Sequence, residues 1–502
     1  MSNSITGTTN RIHTVTHSTE AVTLDLAKVK PFEWPKINYS KLIKPFLISL
    51  FIIGWGFLSW KLSDQPVFQN ICIILLVNIL FYAKTICYKY VSDDIPSSQR
   101  KEDHPKWKYW LLVLEGHLKS TPQIDHFITT ILHALVCVFI YTGFGATDIS
   151  FLAALLFAFN PINNQGAVWI SGRGYVLSAL GMLLALTFPK IGLLWLLLAT
   201  YSNAGFLAPI ALIGSPHPWL LALAPLCWAF WFKNFRKNVA QKIDQEMYTH
   251  DKKIHPVKLV IAIKTFAFYL THALIPIKTT FYHSYMQSMA GAGRAKAESM
   301  KDRFFWIGLV AIGLILWRFL THEWDMVNFG LLWWCVCLAP FCNLMRMQQE
   351  ISERYCYLPN VGLMIVLAYV LYGCPILIPA FIAMYATKTW FYIDYMQDDY
   401  YLVEGACLNS PDSWFAWHVR AMKRWDNQSY QEAVILWTMA RLISPNEFKI
   451  NFNLATALKL AKHEKEALMF LDLAQKHVPA GQEEQTSKLV EDWKKGQLAV
   501  VL

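Results

Sequence analysis

Residues 151–178 read FLAALLFAFNPINNQGAVWISGRGYVLS. An apolar run reaches Phe159 and is then interrupted by Asn160-Pro161. Proline lacks the N–H that a continuing helix needs, and an asparagine amide in hydrocarbon has no partner. The stretch therefore predicts a broken helix that lines a cavity rather than one that faces lipid. It overlaps two apolar runs, at 148–165 and 174–188, and similar runs flank these at 45–61, 68–85, 126–144, 190–214, 217–232, 256–278, 304–321, 326–343 and 361–390. The 190–214 run carries Ser202-Asn203, and the last divides about Gly373-Cys374-Pro375. A bilayer-spanning helix uses about 20 apolar residues, so residues 44–390 are expected to form a membrane domain of roughly 11–13 helices.

Composition points the same way. Of 502 residues, 55% are hydrophobic and 16% charged, where a soluble domain carries about a quarter charged. Too little polar surface remains to cover the chain in water, which excludes disorder, a coiled coil and a collagen-like rod and sets aside a purely soluble enzyme. The net charge of +10 is read as cytoplasmic loop charge and contact with anionic membrane lipids. No basic stripe with interleaved aromatics is evident, so no nucleic-acid partner is expected. The ten cysteines lie mostly in apolar runs and form no CxxC pair, which reads as buried small hydrophobes. Residues 1–43 form a polar lead, expected to be mobile, and the first helix is expected to be an uncleaved anchor.

Three polar stretches interrupt the apolar pattern: a loop at 86–125, a basic segment at 233–257 and a third at 279–303. The string GAGRAK in the third lacks the ending and the preceding strand of a phosphate loop, and is read as surface. Beyond residue 391 the composition becomes that of ordinary soluble helix. Pro411, Pro445 and Pro479 recur there every 34 residues, the tetratricopeptide (TPR) period. Ala421, Ala433 and Ala440 precede Pro445 at the offsets at which Ala455, Ala467 and Ala474 precede Pro479. Small residues at these offsets let the two helices of a hairpin approach closely. Residues 391–502 are therefore expected to form a soluble helical domain with repeats at 412–445 and 446–479.

Three segments carry a family resemblance. Residues 151–178 resemble the ALLFAxHPVHTEAVAWISGRADLLAA segment of the transmembrane-and-TPR O-mannosyltransferase-like proteins, of the GT-C glycosyltransferase fold. ISERYCYLPNVGLMIVLA at 351–368 resembles that family's AERYLYLPSVG motif. IDHFITTILHALVCVFIY at 124–141, with Leu132 and His133, is similar to its second conserved helix. The resemblance implies an all-α fold: a polytopic helical membrane bundle of GT-C type followed by a short TPR domain. It implies a polyprenyl- or dolichyl-phosphate sugar as donor and a protein hydroxyl as acceptor. Such chemistry needs a carboxylate to take the acceptor proton and cations to hold the phosphate leaving group. Asp93 and Asp94 match the family's paired aspartates after an early helix. Arg173 and Arg354 match its basic positions and are expected to bind the donor phosphate. Asn160, Asn163, Gln165, Glu353 and Tyr355 are expected to line the cavity. No metal-ligand spacing is present, so any divalent cation would rest on Asp93 and Asp94 with phosphate oxygens.

The departures fall on polar positions. Asn160 and Asn163 replace two histidines of the family segment, Gln165 a glutamate and Tyr175 an aspartate. An amide cannot act as a general base. Two readings follow: a membrane glycosyltransferase relying on Asp93 or Asp94 with Arg173 and Arg354, or a catalytically degenerate scaffold whose repeats dock a protein partner in an envelope or pilus-like assembly. The expected location is a bacterial inner membrane with the repeats on the extracytoplasmic side, the endoplasmic reticulum membrane being the alternative.

Overall fold

The computed structural model describes residues 12–14, 66–92, 94, 121–200, 205–229, 256–285, 299–344, 350–478, 483–496 and 499–501. The apolar run 45–61, Asp93, Ser202, Asn203, Pro479 and most of the three polar stretches lie outside these residues. The described chain is mainly helical. Its strands are β1 (Ile12–Thr14) and β2 (Ala499–Val501), paired antiparallel with Ile12 opposite Val501.

Among the described residues, the longer helices of the apolar part are α1 (Pro66–Tyr82), α2 (Pro122–Gly143), α3 (Asp148–Phe159), α4 (Arg173–Thr187), α5 (Gly192–Ala199), α6 (Pro256–Leu274), α7 (Arg303–Thr321), α8 (Met326–Leu338), α9 (Tyr357–Tyr372) and α10 (Ile378–Tyr392). Counting the tight turns that extend them, six helical stretches among the described residues are long and apolar enough to cross a bilayer, which makes this an integral membrane protein. The expected number of spans was larger. Among the described residues three apolar helices are shorter than a span, at Asp148–Phe159, Pro189–Ala199 and Met326–Phe341, and a fourth, Pro218–Ala229, is described only as far as Ala229. Prolines cause much of this shortening: Pro161 follows α3, Pro189 opens the stretch before α5, and Pro209 and Pro218 start tight turns.

Burial divides the helices. The stretch containing α9 is 78% buried and that of α7 only 17%. Within the bundle, α9 packs on α8 through a close approach of two glycines: a Cβ on Gly362 would stand 2.3 Å from the Gly330 carbonyl oxygen. The apolar core gathers around Trp333, Trp334, Tyr357 and Phe157. Helix α7 instead exposes Trp306, Val310, Leu314 and Trp317, as a surface in contact with lipid does.

The last span continues to Met396, and α11 (Asp399–Asn409) follows at once. Two helical hairpins come next: α12 (Trp414–Asp426) with α13 (Tyr430–Ile443), and α14 (Phe448–Leu460) with α15 (Glu464–Lys476). Ala421, Ala433, Ala440, Ala455, Ala467 and Ala474 are all fully buried. Helix α16 (Glu483–Lys494) closes the far end, placing Leu489, Val490 and Trp493 against Phe448 and Phe452. The near end does not hang from a tether. Tyr82, Tyr88 and Trp169 of the bundle share an apolar cluster with Leu402, Ala406, Ala416 and Val419.

Candidate functional site

The polar residues singled out in the sequence converge where the bundle meets α11 and α12. Asp94 comes first. After α1 the chain turns back between Val91 and Asp94, whose amide donates to the Val91 carbonyl at 3.0 Å. Ser92 takes the left-handed conformation there, with φ 59°. One Asp94 carboxylate oxygen accepts from the Val91 amide at 3.3 Å and the other from the Ser171 amide at 2.7 Å. The aspartate loop is thereby fastened to the Ser171-Gly172-Arg173 turn. Gly172 is needed for that turn to sit where it does, since a Cβ would stand 2.1 Å from the Gln165 carbonyl oxygen.

Arg173 opens α4 and points back to the first turn of α2. Its Nη2 donates to the Asp125 carbonyl at 2.8 Å and to the Asp125 carboxylate at 3.3 Å, and its Nε donates to Thr129 Oγ1 at 3.1 Å. The other Asp125 oxygen accepts from the Tyr90 hydroxyl at 2.7 Å. Asp125 is 1% exposed and Arg173 7%, so each ion is out of bulk water and stabilised by the other. Asp125 belongs to this cluster and was not among the expected residues. Its signal was an acidic residue in the first turn of an apolar helix, which is costly without a cation nearby.

Gln165 uses both ends of its amide. Its oxygen accepts from Ser352 Oγ at 3.0 Å and from the Arg354 amide at 3.3 Å, while Nε2 donates to the Thr280 carbonyl at 3.3 Å. An ionised glutamate in this position could not make the last bond. Glu353 lies beside it, 1% exposed. Its Oε1 accepts from the Thr280 amide at 2.9 Å and meets His283 Nε2 at 3.1 Å. Burial, reinforced by Lys278, pushes the His283 imidazole down to about 3, so it is neutral at pH 7. The Arg354 guanidinium lies over the Trp169 ring at 5.0 Å and the Tyr355 ring at 5.1 Å. Tyr355 in turn stacks on Phe341 at 4.7 Å.

The two asparagines close the break after α3. Asn160 Oδ1 accepts from the Ile162 amide at 3.1 Å and its Nδ2 donates to the Ala273 carbonyl at 2.8 Å. Asn163 Nδ2 donates to the Phe157 carbonyl at 2.7 Å, and its Oδ1 accepts from Asn360 Nδ2 at 3.0 Å. These bonds satisfy backbone groups that a broken helix leaves bare in an apolar interior.

Asp94 and Arg173 are thus tied through the Ser171 turn and Asp125, and Gln165, Glu353 and Arg354 through Thr280 and Ser352. The Arg354–Trp169 contact and the close approach of Gly172 to the Gln165 carbonyl bring the two groups together as one polar layer. Asp93, the companion of Asp94, lies outside the described residues. Among those residues no group of three or more His, Cys, Asp or Glu side chains is placed to hold a metal ion. The layer combines carboxylates with two arginines and aromatic rings; Arg173 is paired with Asp125, and arginine and ring faces are the groups that can meet an anionic or ring-containing ligand. No family model, curated protein or solved structure matches the chain.

Proposed function

We propose that the chain is a membrane glycosyltransferase of GT-C type that takes a sugar from a polyprenyl- or dolichyl-phosphate donor and passes it to a protein hydroxyl outside the cytoplasm. The observation that carries this reading is the convergence of Asp94, Ser171–Arg173 and Glu353–Arg354, far apart in sequence, in one polar layer at the end of the bundle that bears the helical hairpins. In the proposed step the acceptor oxygen attacks the anomeric carbon, an aspartate takes its proton, and the bond to phosphate breaks with its electrons on the phosphate. Arg173 and Arg354 supply the positive charge for that leaving group. The hairpins, read as tetratricopeptide repeats, would hold the acceptor protein on their concave face. Transfer of labelled sugar from a polyprenyl-phosphate donor in proteoliposomes tests the reading. Loss of transfer in Asp93→Asn or Asp94→Asn is expected; unchanged transfer in both removes the aspartate base.

A second reading has its own observation. Both Asp94 oxygens accept backbone amides, and Arg173 is ion-paired with Asp125. A polar layer satisfied from within also serves as the rigid floor of a docking scaffold. Recovery of stoichiometric partners, with no sugar transfer by the wild-type protein, would establish that reading in place of the first.

A further inference from the structure

The turn that carries Asp94 is gripped from two sides. The Ser171 amide holds the Asp94 carboxylate from the bundle at 2.7 Å. From the opposite side come two bonds to the segment that enters α11: the Lys89 amide donates to the Gln397 carbonyl at 2.9 Å, and the Ser92 amide donates to Asp399 Oδ1 at 2.7 Å. Ser92 is the residue with φ 59°, a conformation that a non-glycine residue keeps only when its surroundings impose it. Asp399 meets it from a helix that does not require its side chain as a cap. Asp398 already caps α11 by accepting the Tyr401 amide at 3.1 Å. The second Asp399 oxygen accepts from Lys423 Nζ at 2.7 Å, and Lys423 lies on α12, the first helix of the first hairpin. A continuous chain of bonds therefore runs from hairpin to turn: Lys423, Asp399, Ser92. The side chains of Lys423 and Asp399 are 35% and 38% exposed, so solvent screens the ion pair and its use is geometric.

We propose that Asp399 is a positioning residue. It holds the Val91–Asp94 turn in register against Ser171–Arg173 and couples that turn to the position of the first helical hairpin. The consequence for catalysis rests on the transferase reading above; the positioning itself does not.

The experiment uses the full chain in nanodiscs and two readouts. Hydrogen exchange at residues 88–94 reports the turn directly. Asp399→Ala should speed exchange of the Ser92 amide by about tenfold or more. Asp399→Asn keeps an acceptor for that amide and should restore most of the protection. Lys423→Ala should give a smaller acceleration, and it reads the same coupling if Asp399→Ala does not fold. Ser92→Gly, in which a left-handed φ carries no penalty, should blunt the effect of Asp399→Ala on the turn. In the transfer assay Asp399→Ala should lower kcat with KM for the lipid-phosphate sugar unchanged, and Asp399→Asn should recover kcat. Wild-type exchange in both Asp399→Ala and Lys423→Ala overturns the proposal. Faster exchange in a protein whose wild type transfers no sugar leaves the positioning intact and removes the transferase reading.

Discussion

The polar layer of the bundle and the hairpins of the C-terminal domain use buried positions in opposite ways. In the hairpins the recurring buried positions are alanines at fixed offsets, in apolar clusters that span neighbouring helices. At the polar layer and the helix break beside it they are charged and amide groups whose partners lie far away in sequence: Asp125 with Arg173, Gln165 with Ser352, Asn163 with Asn360. The hairpins are stabilised by many small apolar contacts, so damage should remain local. The layer is stabilised by a few bonds in an apolar surround, so removing one partner leaves another group buried with part of its bonding lost.

The largest effect is therefore expected at Asp125. Asp125→Ala leaves the Arg173 guanidinium buried without its carboxylate and removes the acceptor for the Tyr90 hydroxyl. A loss of about 4 kcal/mol is expected, measured as a lower midpoint of unfolding in detergent. Asp125→Asn should cost less, because its amide oxygen still accepts from the hydroxyl, while the backbone bond from Arg173 is kept in both variants. Equal midpoints for wild type and Asp125→Ala would show that the layer is not an energetic centre of the bundle.

Next comes Gly362. The added methyl in Gly362→Ala would meet the Gly330 carbonyl oxygen at 2.3 Å and Trp333 Cβ at 2.8 Å, so α8 and α9 must separate. About 3 kcal/mol is expected for such overpacking between two backbones. Ala467→Leu also overpacks a fully buried site, but in the second hairpin, and about 2 kcal/mol is expected there. The two variants differ in reach. Hydrogen exchange should rise across the bundle in Gly362→Ala, and only over α14, α15 and α16 in Ala467→Leu. Faster exchange in α4 or α9 of Ala467→Leu would mean that the two regions unfold as one unit, and the comparison would fail.

The same contrast explains what the sequence revealed. The hairpins were legible because period and residue size fix them: prolines 34 residues apart and alanines between them specify helix ends and close contacts locally. That the chain is embedded in a membrane was equally plain from its apolar runs. The break inside the 148–165 run was legible as well: Asn160-Pro161 announced it, and the helix ends at Phe159. At the site, Asp94, Arg173, Gln165, Glu353 and Arg354 were singled out through motif resemblance; the structure shows where they sit, and the roles expected of them rest on the resemblance. Their partners Asp125, Tyr90, Thr280, His283 and Asp399 were missed, because each meets its neighbour only through tertiary folding and none lies in a repeating pattern. The amide at residue 165 was read as a loss of chemistry. In place it donates to a carbonyl as a carboxylate could not.

The smallest expected effect concerns charge at the edge of the bundle. Asp302 caps α7, its Oδ1 accepting from the Phe304 amide at 3.0 Å, while Oδ2 accepts from the Tyr285 hydroxyl at 2.9 Å and faces Lys264 Nζ at 3.2 Å. Burial alone would raise its pKa, but these three donors outweigh it and hold the carboxyl below its ordinary value of 3.8. The unfolded chain then binds this proton more readily than the folded one, so the contribution is complete above pH 3.8 and is lost as pH falls through the lower folded value. Acidification below about pH 4 should loosen the tie between α6, Tyr285 and α7, seen as faster exchange at the start of α7. Asp302→Asn should flatten that acid dependence while leaving the hairpins untouched. An unchanged acid slope in Asp302→Asn would assign the loosening to other carboxylates. The charges of the bundle would then act collectively, unlike the paired groups of its interior.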